Sequence, residues 1–103
     1  MQNGIIEPGT ERGMNFGFNN DLFRGYLWKE DNRILLSLVI SLDEGKGNLS
    51  RLFDAIEHLG YEIAVPTPMG KMKEILLHKK FVSFIEHDNR MGAVEVWMRQ
   101  KSQ

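Results

Sequence analysis

The spacing of apolar residues changes along this chain, and each change marks an element. The stretch "LFRGYLWKE", 22–30, is rich in aromatics, and "RILLSLVISL", 33–42, is a nearly continuous apolar run. "EDNR", 30–33, has turn chemistry, so 22–42 predicts a β-hairpin. Apolar residues on both faces at 38–40 predict a central strand covered on two sides. Beyond residue 48 the period becomes helical, with Leu49, Leu52, Phe53, Ile56 and Leu59 on one face. Asn48 is the expected N-cap and Gly60 the glycine after the helix end. "YEIAVP", 61–66, predicts a short strand. Thr67 is expected to cap a second helix, with Pro68 in its first turn and Met69, Met72, Ile75 and Leu76 on its apolar face. "FVSFIEH" and "AVEVWMR", joined by "DNRMG", predict a second hairpin.

The predicted order is β-β-α-β-α-β-β, an α+β (mixed α/β) fold. The strand–helix–strand unit should cross over right-handed with parallel strands, between antiparallel hairpins. A mixed sheet carrying two helices results. Residues 1–20 hold four glycines, four asparagines and a proline. They predict an irregular N-terminal arm, in which "MNFGF", 14–18, would be a short edge strand. Residues 21–103 are expected to form a single domain.

Composition narrows the function classes. A chain of 103 residues predicts one domain with a small core. A formal net charge of −1 gives no reason to expect nucleic acid or a polybasic membrane contact. The absence of cysteine excludes disulfides, thiolate metal sites and a cysteine nucleophile. Residues 1–20 lack a basic start followed by an apolar run, so no signal peptide is expected. The longest apolar stretch, "ILLSLVISL", is far shorter than the roughly 20 residues that span a bilayer. A cytoplasmic protein is the expectation.

The candidate chemistry lies in "DEGKGNLSRLF", 43–53. Gly45 and Gly47 can take positive φ, which lets successive amides curl toward one anion at the start of a helix. Lys46 adds a positive charge there, whereas Asp43 and Glu44 oppose an anion. The loop is neither a Walker A sequence nor the dinucleotide fingerprint. Read from its residues alone, it fits a tight strand-to-helix connection as well as an anion cradle.

The stretch 22–99 resembles the core of the GNAT N-acetyltransferase family, and is similar to short GNAT-like proteins of phage and bacterial genomes. That family's loop pattern is Q/R-x-x-G-x-G/A, with a Val five residues ahead and a Leu-Leu pair in the next helix. Val39 falls on the Val, Gly47 on the first motif glycine, and Leu52 and Phe53 on the pair. "VPTPMGKMKEILLHKKF" matches the family's splayed strand and subsequent helix in length and phase, with Phe81 on the Phe of its closing "GF". The departures are Glu44 at the Q/R, Leu49 at the second Gly/Ala, Lys80 at the Gly of "GF", Leu76 at the Tyr that protonates the leaving thiolate, and Met69 at a frequent Asn. Nor do the residues ahead of the first hairpin match the strand and two helices that form much of the family's acceptor site.

The resemblance implies acetyl-CoA or CoA as ligand. The strand residues Val39, Ile40 and Ser41 would hold pantetheine, and Gly45, Lys46, Gly47, Asn48 and Leu49 the pyrophosphate. The acceptor would be an amine, free or on a protein, and a homodimer could supply the missing acceptor wall through an edge strand. The competing expectation is a non-catalytic binding or accessory module that keeps the same fold. No residue is marked out as acid or base. Glu62 and His78 are the candidates, against ordinary roles as a solvated carboxylate and a surface histidine. His58 fits a helix C-terminus. Glu86, His87 and Asp88 are adjacent on a strand and alternate faces, so a shared metal is not expected. Met69, Met72, Met91 and Met98 are expected to fill the core. Trp28 and Trp97 are expected to seal a sheet face, an exposed one marking an interface.

Overall fold

The computed structural model describes residues 2–90 and 92–99. Its elements are β1 (Gly4–Ile6), α1 (Glu11–Met14), β2 (Phe23–Glu30), β3 (Arg33–Ser41), α2 (Asn48–His58), β4 (Glu62–Pro66), α3 (Lys71–His78), β5 (Val82–Asp88) and β6 (Gly92–Met98). The strands form one six-stranded mixed sheet in the order β1-β2-β3-β4-β6-β5. Among the described strands, β3 and β4 are the parallel pair, and the other neighbours are antiparallel. The fold is therefore α+β, and from β2 onward its order matches the pattern of the sequence.

Three local expectations are corrected. "MNFGF" is not an edge strand but the end of α1 and the turn after it; Gly4–Ile6 fills the edge, with Ile5 opposite Trp28. Residues 2–20 are thus a structured part of the domain, driving Ile6, Phe16 and Phe18 into the core. Thr10 caps α1, its hydroxyl accepting from the Gly13 N–H at 3.1 Å. The second correction concerns α3, which begins at Lys71 after Gly70 rather than at Thr67. Thr67 instead takes φ 42° and donates its N–H to the Glu95 carbonyl at 2.8 Å. Met69 is consequently 79% exposed and outside the helix. Met72 packs on the core, Met98 is half-buried, and Met91 lies outside the described residues. Third, Leu59 is exposed rather than on the buried face of α2, whose core residues are Leu52, Phe53 and Ile56.

Residues directly opposite on neighbouring strands share a face of the sheet. The inner face carries Ile6, Leu27, Ile34, Ile63, Val65 and Trp97, which join α2 and Leu76 of α3 in one cluster. Phe53 and Phe81 meet there with ring centroids 5.6 Å apart, and Lys73 of α3 sits over the Trp97 ring. The outer face carries Ile5, Trp28, Leu38, Ile40, Val82 and Phe84, all substantially exposed. β3 is therefore covered by helices on one face only, not on two as its apolar run predicts. The exposed Trp28 and buried Trp97 show the two fates of an aromatic on this sheet.

β3 has a register shift that matters for the site. Tyr26 lies opposite Leu38, but Trp28 lies opposite Leu35, so Leu36 and Ser37 share the single partner Leu27. A bulge of this kind bends a strand and exchanges the faces of the residues beyond it. It falls where β3 leaves β4: their pairing stops at Leu35–Ala64, β3 continues along β2 to Ser41, and β4 turns to β6 through Ala64, Val65 and Pro66. The parallel pair thus splays open toward its C-terminal ends.

Candidate functional site

The splay leaves the backbone groups of β3 beyond Leu35 without a β4 partner on that side. Buried or ligand-facing, such groups call for hydrogen-bonding partners. At the open end of β3 the chain passes through residues 42–47 into α2. Gly45 (φ 82°) and Gly47 (φ 77°) both take the left-handed conformation their sequence allows. Gly47 is the N-cap of α2, so Asn48, expected in that role, is instead the first helical residue. The reason is its side chain: Asn48 is buried, and its Oδ1 accepts from the Arg51 guanidinium. Arg51 Nη2 also donates to the Lys46 carbonyl at 2.9 Å, clasping the loop. A Cβ at Gly47 would stand 3.2 Å from Arg51 Nη1.

With no side-chain cap on α2, its first backbone bond is Arg51 N–H to the Gly47 carbonyl, 3.0 Å. The amides of residues 48–50 precede that bond and are oriented toward the helix start, where the dipole is positive. Asn48, Leu49 and Ser50 all line a groove of about 420 Å³, together with Val39, Ile40, Ser41, Glu44, Gly45 and Gly47. Lys71, Met72 and Ile75 of α3 close its other side. The volume is typical of a small-molecule site, roughly 300–1,000 Å³. Apolar residues and the glycine loop with its helix-start amides thus line the same groove.

Seven of the eight sequence-derived candidates, Val39, Ile40, Ser41, Gly45, Gly47, Asn48 and Leu49, come together in this groove; Lys46 does not line it. Sequence reading missed Lys71 and Glu44 as a unit. They form an ion pair across the groove, Nζ to Oε2 3.0 Å. Residues 27 positions apart give no periodic signal that would have joined them.

The candidate acid–base residues are elsewhere. Glu62 lies opposite Arg33 in the β3–β4 register, at the closed end of the splay. His78 is exposed at the far end of α3, about 10 Å along the helix from Lys71 at 1.5 Å per residue. Leu76 is fully buried and has no proton to give. Among the described residues no group of three or more His, Asp or Glu could hold a metal ion. Outside the groove, the clearest electrostatic feature is Arg33. Its guanidinium grips Glu86 through two bonds, 2.7 and 2.9 Å, and reaches Glu30 at 2.8 Å. The Arg33 bonds hold the Glu86 carboxyl below its ordinary range, and the bond to Glu86 in turn raises Arg33 further above its own.

No family model, curated protein or solved structure matched the chain. No described helix is long and apolar enough to cross a membrane.

Proposed function

We propose that this chain is a GNAT-like protein that binds acetyl-CoA in the groove between β3, α2 and α3, and that transfer of the acetyl group to an amine is the associated reaction. The observation that carries the reading is a coincidence of three features in one groove. These are the unpaired edge of β3, a loop with two left-handed glycines, and an α2 start without a side-chain cap. The pantetheine amides would pair with the backbone of 39–41, and the amides of 48–50 would face the pyrophosphate. Leu49, Met72 and Ile75 would keep water from the thiol arm.

Bound acetyl-CoA would supply an already activated thioester. The chain would then contribute mainly position, which is worth up to roughly 7–11 kcal/mol for well-oriented groups. A second reading is a non-catalytic accessory module. It is favoured by the buried Leu76 and by Glu62 and His78 lying outside the groove. Under that reading the exposed outer face around Trp28, Leu38 and Ile40 would meet a protein partner or a second copy.

An NMR titration of the labelled protein with acetyl-CoA and with CoA separates ligand from connector. Saturable shifts of the amides of 39–41 and 45–49 are expected. Unmoved amides at millimolar ligand would reduce the loop to a strand-to-helix connection and leave the accessory reading. If the ligand binds, release of CoA thiol against a panel of amines tests transfer.

A further inference from the structure

We infer that Glu44 and Lys71 form a displaceable latch across the groove: Lys71 is the side chain that takes up phosphate charge on the ligand, and Glu44 occupies it until the ligand arrives. The inference rests on the phosphate-bearing ligand proposed above. Both residues line the groove, one on the loop ahead of α2, the other at the first position of α3. Their 3.0 Å ion pair spans the two walls. The side chains are 64% and 79% exposed, so water screens the pair and little is lost when it opens.

The surroundings make the exchange favourable. A phosphate held against the amides of residues 48–50 would stand beside the Glu44 carboxylate, a like charge, and beside the Lys71 ammonium, an opposite one. The carboxylate gains by leaving for solvent and the ammonium by changing partner. Gly45 and Gly70, one on each wall, have positive φ, and a Cβ at either would meet nothing within 4 Å, so no neighbouring side chain packs over these two positions. The latch would make the groove selective for ligands with strong anionic charge, since an uncharged arm offers Lys71 nothing in place of Glu44.

The test is calorimetric titration of the full chain with CoA and with pantetheine, which has the same thiol arm without phosphate. Wild type is compared with Glu44→Gln, Lys71→Gln and the double variant at one ionic strength. Glu44→Gln should tighten CoA about three- to five-fold, and Lys71→Gln should weaken it by a similar factor, as expected for an exposed charge. Pantetheine should be unaffected by either. The gain from Glu44→Gln should shrink when Lys71 is already removed, because no latch remains to release. Independent, multiplying effects, equal changes for pantetheine, or a Lys71→Gln variant that binds CoA like wild type would overturn the latch while leaving the ligand reading intact. If no variant binds CoA, the ligand reading fails and the latch with it. CoA binding by Glu44→Gln in the absence of binding by wild type would support both.

Discussion

The two faces of the sheet are built from the same strands and have opposite fates. On the inner face Ile34, Ile63, Val65 and Trp97 are buried beneath α2 and α3. On the outer face Trp28, Leu38, Ile40 and Phe84 remain between 41% and 51% exposed, and Arg33, Glu86 and Glu30 form an ion network instead of a core. Alternation decides which residues share a face, but helix cover decides which face becomes a core. The bulge at Leu36–Ser37 adds a further distinction, because it exchanges the faces of β3 just where the groove begins. Val39 thereby packs on the inner cluster, while Leu38 and Ile40 turn outward.

Four substitutions sharpen this contrast in denaturation experiments. Phe53→Ala removes a fully buried ring that α2 packs into the cluster beneath the inner face, and should cost about 3–5 kcal/mol. Gly25→Ala comes next. Its φ is 96°, and a Cβ would lie 1.9 Å from the Leu38 carbonyl oxygen, so strain of about 2–3 kcal/mol is expected. A cost under about 0.5 kcal/mol, the range usual for surface changes, would mean that the close approach of β2 to β3 is not obligatory. Glu86→Gln probes the outer-face network. The folded-state carboxyl is depressed below its ordinary 4.5 by Arg33, so its contribution is present above that pH and fades as pH falls through the folded value. With a partly exposed pair, the effect should be about 0.5–1 kcal/mol at pH 7 and vanish once the pH lies below the folded value. A difference between wild type and variant that persists in acid would assign the effect to packing. Trp28→Thr should have the smallest effect, under about 0.5 kcal/mol, through its cross-strand contacts with Ile5 and Leu35. A loss as large as that of Phe53→Ala would show that the outer face is a core after all.

Much of this architecture is legible in local pattern. The hairpins 22–42 and 82–98 and the face of α2 can be read from period and turn chemistry, because neighbours in sequence are neighbours in space there. The loop glycines are equally readable, since Gly45 and Gly47 do adopt positive φ. The features that stay hidden depend on distant partners. Phe16 looks like part of a strand until Tyr61 is seen edge-on to it, ring centroids 6.0 Å apart. Asn48 looks like a cap until Arg51 claims its oxygen. Thr67 and Pro68 look like a helix start, but the Thr67 N–H is committed to Glu95 on β6. The groove obeys the same rule: seven of the eight residues suggested by the resemblance line it, while the Glu44–Lys71 pair emerges only from the fold.

The strand order also sets a timetable. β6 lies between β4 and β5, so β5, made earlier, has no sheet partner until residues 92–98 have left the ribosome. Until then β4 ends the nascent sheet, and Val82, Phe84 and Ile85 wait on an unpaired segment. Nascent chains arrested ahead of residue 92 should be cut by protease around 82–88, whereas chains in which residues 92–98 have emerged and paired should resist. The splayed wall of the groove is therefore completed only when β6 docks on β4.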